Sequence, residues 1–93
     1  MDVPSCSSRQ IIRAALRLGF IIRQGGKGSH TKLQYANGRV IIVPETKDIG
    51  RGLRTRLVKD IAETTGRSME DVIQLLSIGG LAVLLDVFKQ LFG

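Results

Sequence analysis

The sequence predicts an α+β fold, a small antiparallel sheet covered on one face by helices. Three observations predict it. Apolar residues recur at helical spacing up to Leu18-Gly19, three short strand-like stretches joined by glycine-containing loops run from Phe20 to Val43, and helical spacing returns from Leu53 onward. A length of 93 residues is that of one domain with one modest core.

Met1 to Ser7, with a proline and serines, is expected to be a loose lead-in. Ser7 or Ser8 can cap a first helix by accepting a backbone N–H bond. Ile11, Ile12, Ala15, Leu16 and Leu18 follow helical spacing, Arg9, Arg13 and Arg17 form a stripe four residues apart, and Gly19 stops the helix. Phe20 to Arg23 reads as a first strand, Gln24 to Gly28 as a glycine-rich loop, and His30 to Tyr35 as a second strand. Asn37-Gly38 predicts a hairpin with a type I′ turn, and Arg39 to Val43 a third strand ended by Pro44. Leu53, Leu57, Val58 and Ile61 share one face of a second helix, which leaves Arg54, Lys59 and Asp60 to solvent and Arg56 flanking the apolar stripe. Gly66 ends that helix. Ser68 followed by Asp71 resembles a capping box and predicts a third helix from Met69 to about Leu76. After Gly79-Gly80, the residues Leu81, Leu84, Leu85, Phe88 and Leu91 form a last apolar helical stripe. The expected division is a domain over 1–78 and a C-terminal helical extension over 79–93, packed on the domain or serving self-association or partner docking through Leu81, Leu84, Leu85 and Phe88.

Composition narrows the function. Hydrophobic residues make up 43% and aromatic residues only 4%, with no tryptophan, so the core is mostly aliphatic and the composition argues against a base-stacking platform of exposed rings. Ser8 to Lys59 carries twelve Lys or Arg against Glu45 and Asp48, whereas Asp60 to Gly93 is net acidic; the whole chain is at +6. A basic body of this kind suits a polyanion such as RNA or DNA. Cys6 is the only cysteine, so an internal disulfide is excluded and a cytoplasmic setting is expected. The longest uncharged stretch, Val72 to Leu85, is shorter than the roughly 20 residues of a membrane span, so no membrane role is expected. One His and one Cys far apart in sequence do not make a structural zinc site, and the Gly-Lys-Gly-Ser segment lacks the spacing of a nucleotide-binding P-loop.

Strand parity singles out one histidine. Leu33 and Tyr35 share one face of the second strand, expected to lie under the helices; His30, Lys32 and Gln34 share the other. An exposed histidine with Lys32 beside it and Lys27 in the loop before it suits phosphodiester chemistry. Attack by a ribose 2′-hydroxyl needs a base, an acid for the leaving oxygen and cations for the phosphorane. Histidine serves near neutral pH and lysines stabilise the charge. Backbone N–H groups from Gly26 to Ser29 add a small anion nest. Arg51, Arg54 and Arg56 open the second helix, where N–H donors can supplement an anion site; each arginine group reads equally well as a solvated face.

Ser8-Arg9 at a helix start, the Leu-Gly-Phe that ends the helix, the run Arg23-Gln-Gly-Gly-Lys-Gly-Ser-His30, the hairpin Asn37-Gly38-Arg39 running to Val43-Pro44, and Gly52-Leu53-Arg54 opening the second helix resemble the HicA (YcfA-like) family of mRNA interferase toxins. These are small toxins of bacterial and archaeal toxin–antitoxin pairs. The likeness spans roughly Ser8 to Leu76. It implies a double-stranded-RNA-binding-like α-β-β-β-α fold, here with a C-terminal helical tail. It also implies metal-independent cleavage of mRNA without a cofactor, His30 as the essential residue, and a HicB-like antitoxin that binds the toxin and blocks the site. On this reading His30 is catalytic, and Lys27, Gly28, Ser29, Lys32 and Arg54 hold RNA. The chain departs from the family in having Thr31 and Lys32 where another His or an aromatic residue often follows. With a single histidine, the second proton transfer falls to a lysine, Tyr35 or water, and a slow enzyme is expected. The alternative is a double-stranded-RNA-binding module without catalysis, which would use shape and phosphate contacts alone.

Overall fold

A computed structural model describes residues 2–23 and 30–78 of the chain. The elements run α1 (Ser8–Arg17), β1 (Ile21–Arg23), β2 (His30–Gln34), β3 (Val40–Pro44), α2 (Arg51–Thr65) and α3 (Met69–Leu76). The strands form one antiparallel sheet in the order β1-β2-β3, with β2 central. The α+β class and the order of elements are those predicted. The loop with Lys27, Gly28 and Ser29 lies outside the described residues, as does the tail with Leu81, Leu84, Leu85 and Phe88.

Helix α1 starts at a full capping box. Ser7 accepts from the Gln10 N–H at 3.3 Å, and the Gln10 side chain accepts from the Ser7 N–H at 2.9 Å. Ser8, the other candidate cap, does something else. It is buried, its hydroxyl donates to the Pro44 carbonyl and accepts from the Thr46 N–H at 2.7 Å. One serine thus ties the first turn of α1 to the end of β3. Gly66 closes α2 in the left-handed conformation, and Ser68 caps α3 by accepting from the Asp71 N–H at 3.1 Å. Both ends are where the sequence puts them.

The helices cover one face of the sheet. Ile11, Leu33, Val43, Ile49, Val58, Ile61 and Val72 are the large side chains at the centre of the core. Each fully buried aliphatic side chain of this kind contributes about 1.5–3 kcal/mol. Phe20 precedes β1 rather than starting it, and packs on Tyr35 with ring centroids 5.0 Å apart. Gly19, at φ 106°, lies where a Cβ would sit 3.3 Å from the Tyr35 ring, so the turn into β1 needs glycine both for its backbone and for this approach.

Several expectations are corrected. The lead-in is not loose: Val3 and Cys6 are buried, and the Ile49 N–H donates to the Cys6 carbonyl at 2.9 Å. The Asn37-Gly38 turn is not type I′. Only Gly38 has positive φ, the Gly38 N–H donates to the Tyr35 carbonyl, and the Tyr35 N–H to the Arg39 carbonyl, both at 2.9 Å. This is a three-residue hairpin loop with glycine at the bulge position. The bulge takes up Arg39, so β3 starts at Val40 and includes Pro44 instead of running from Arg39 to Val43. On α2 the buried stripe is Leu57, Val58, Ile61 and Ala62, displaced from the expected one; Leu53 is exposed, and Arg56 points outward to pair with Asp60 at 3.9 Å.

Burial pushes the Cys6 thiol above its ordinary pKa, against a weaker pull from the Arg54 guanidinium and with a small push from Asp48. A buried thiol with little thiolate is a poor nucleophile. Cys6 in the native protein is therefore expected to react with a disulfide reagent at neutral pH at least about tenfold more slowly than in urea. Equal rates would mean that the lead-in is detached in solution.

Candidate nucleic-acid interface

Antiparallel register fixes which side chains meet on the uncovered face, because opposed residues project to the same side. Three rows result. Ile21 of β1, Gln34 of β2 and Val40 of β3 form the first; Arg23, Lys32 and Ile42 the second; His30 and Pro44 the third. The two intervening rows, Ile22 with Leu33 and Ile41, and Thr31 with Val43, point to the helices. Burial follows these assignments at the centre: Leu33 is 0% and Ile41 4% exposed, against 38% for Val40 and 47% for Ile42. Ile22, on the covered side but in the edge strand, remains exposed beyond the reach of the helices.

His30 is exposed at the start of the central strand, on the open face, as parity predicts. Lys32 lies two residues on, roughly 7 Å along the strand. The structure adds a cation that the sequence reading missed. Arg23 is directly opposite Lys32, and no ion pair with a described acidic residue engages either. Like charges at opposed positions repel and destabilise a strand pair. An anion between two such residues would relieve that cost, so the row has the charge arrangement that a bound anion complements. Reading it from sequence would have required the register across residues 24–29, which no local signal in that glycine-rich stretch fixes.

Two residues from the sequence reading are placed elsewhere. Tyr35 lies on the covered side, packed against Phe20 with the rings tilted at 47°, and five residues from His30 along the chain, about 17 Å in an extended strand. It is removed as the partner for proton transfer, leaving a lysine or water. Arg54 is not left to solvent. Its Nε donates to the Val3 carbonyl at 2.8 Å and its Nη1 to the Ile49 carbonyl at 3.3 Å, so it clamps the lead-in and the β3–α2 loop to α2. Hydrogen bonds to a charged group contribute about 1.5–3 kcal/mol. Arg54→Ala should lower unfolding stability in urea by about that much. A large, selective loss of RNA affinity with unchanged stability would return Arg54 to the interface.

The charge asymmetry of the sequence does not divide the layers, because α1 and α2 carry Arg9, Arg13, Arg17, Arg51, Arg54, Arg56 and Lys59 beside the acids of α2 and α3. Asp60, Glu63, Glu70 and Asp71 sit on α2 and α3, in the layer behind the sheet. Asp60 is partly neutralised by Arg39 at 3.3 Å. Arg9 of the α1 stripe is exposed, while Arg13 and Arg17 are half-buried against neighbouring structure. Among the described residues, no three His, Cys, Asp or Glu side chains cluster as metal ligands would, and no helix is long and apolar enough to cross a membrane.

A search of curated proteins returned no match. A family model, described as the HicA toxin of bacterial toxin–antitoxin systems, matches residues 8–63. That match takes in α1, the three strands and α2 up to Glu63, and so includes the whole open face with His30. Over more than half of its length, and across every element that builds this face, the chain belongs to the HicA toxin family.

Proposed function

We propose that this toxin is a metal-independent endoribonuclease that cleaves mRNA on the open sheet face, with His30 moving the proton. The observation that carries the reading is the row geometry: an exposed imidazole next to a row holding two cations, on the sheet face that no described helix covers. His30 takes the proton from the attacking 2′-hydroxyl or delivers one to the departing 5′-oxygen. Lys32 and Arg23 hold the phosphate and offset the charge that grows on the phosphorane. Pro44 stands opposite His30, and the next row on this face holds Arg23, Lys32 and Ile42. Lys27, Gly28 and Ser29 belong to the same reading as further phosphate contacts.

The antitoxin partner of the family is read here as a HicB-like protein that covers this face. Ile21, Val40 and Ile42 are exposed beside the cations, as suits a surface that a protein partner buries. One feature favours a second reading. No described residue besides a lysine stands ready to share proton transfer with His30, as in a module that binds structured RNA without cutting it.

The test is incubation of the purified protein with a long mRNA in EDTA. Fragments accumulating in the chelator support the nuclease. Salt-sensitive RNA binding without fragments favours the binding module.

A further inference from the structure

The first row of the open face has no part in the cleavage chemistry, yet it is built as a site. Gln34 stands on the central strand between two exposed aliphatic side chains, Ile21 at 52% and Val40 at 38%. No hydrogen bond to a described residue engages its carboxamide. Beside it opens a cavity of about 330 Å³ lined by Gly19, Ile21, Gln34, Tyr35, Ala36 and Gly38. That volume is at the small end of the roughly 300–1,000 Å³ range of ligand pockets. Two of its lining residues are glycines, Gly19 at φ 106° and Gly38 at φ 90°, and a Cβ at Gly19 would stand 3.3 Å from the Tyr35 ring that also lines it.

From this arrangement we infer that Gln34 and its cavity receive an unpaired RNA base, making Gln34 a specificity-determining residue of the toxin. The proposal rests on the reading of this face as an RNA site. Charge complementarity sets the polymer's place: the phosphates lie over Arg23, Lys32 and His30. A base projecting from the backbone beside them reaches the next row. Gln34 is roughly 14 Å from His30 along the strand, so the base read belongs to a nucleotide flanking the cleaved bond. Ile21 and Val40 supply apolar surface against the flat faces of the base, and the carboxamide presents one donor group and one acceptor to its edge. Bases in a duplex keep these edges occupied or at the bottom of a groove, so the site selects single-stranded segments.

The experiment uses two backgrounds. In His30→Ala protein, which holds RNA uncut, binding is measured to labelled oligonucleotides of each base composition and to a duplex. The expected result is tighter binding of single strands and a spread between best and worst base of about 5- to 100-fold. Adding Gln34→Ala is expected to flatten that spread. Gln34→Glu, which offers acceptors only, is expected to move the preference toward guanine, whose Watson–Crick edge has two adjacent donors. A spread unchanged by Gln34→Ala, a preference for the duplex, or no RNA binding at all overturns the inference. In the wild-type background, cleavage sites are mapped with and without Gln34→Ala. Loss of base preference at one fixed distance from the cut supports the inference; an unchanged cleavage spectrum overturns it and leaves the nuclease standing. If the wild type cuts nothing but binding retains a Gln34-dependent preference, the nuclease reading fails and the base site stands.

Discussion

His30→Ala is expected to lower the rate of mRNA cleavage by about 10² to 10⁴, the usual contribution of a positioned acid–base group. Single-turnover cleavage of one end-labelled RNA measures it. The fold should not change, because His30 is an exposed residue at the first position of β2 and its side chain lies outside the core. Surface substitutions of this kind change stability by about 0.5 kcal/mol or less. The informative result is therefore a pair of readings on the same sample: lost cleavage together with an unshifted urea midpoint. Retained cleavage would remove His30 from the chemistry and leave the cations as binding groups only. The chain's sole histidine makes the experiment clean, since no second imidazole can substitute for it.

Leu33→Ala is the substitution expected to do most to the fold. Leu33 is fully buried at the middle of the central strand, opposed by Ile22 and Ile41. Truncating a leucine in such a place removes transfer energy and leaves a cavity, at a cost of about 2–5 kcal/mol. Domains of this size have only about 5–15 kcal/mol of stability in total. The variant should therefore unfold at a much lower urea concentration. Ile42→Ala is the control. It lies one row away from the row opposite Leu33, on the open face, and is 47% exposed, so its cost should be about 0.5 kcal/mol or less. Equal losses from the two would mean that the open face is covered in solution.

These two variants follow from features that the sequence displays directly. Alternation in β2 is enough to place Leu33 inward and His30 outward, because a strand's period of two leaves only one face for each. Helix ends were equally legible where a side chain and a glycine mark them, as at Ser68 and Gly66. What escaped depends on partners distant in the chain. Asn37-Gly38 identifies the hairpin, but the turn type is set by how many residues the two strands leave between them. Arg54 has the spacing of a solvent residue; only the packed lead-in brings the Val3 carbonyl to it. Val3 and Cys6 looked like a polar terminus because two apolar residues among serines show no period. Arg23 and Gln34 gained their roles from cross-strand register, which exists only once the sheet is assembled.

The Ser8 tie has a consequence for how the toxin is born. Its partners, Pro44 and Thr46, are 36 and 38 residues further along the chain. A ribosome making the protein releases α1 long before the strand that anchors it. Closing a loop of that length carries an entropic cost that local contacts do not repay. Moreover, Pro44 is the register partner of His30, so the same late event that pins the helix also seats the histidine row. If the open face cuts mRNA as proposed, the nascent chain is harmless to the message being read until the third strand has emerged and closed, an interval in which the toxin's sequence exists without that surface.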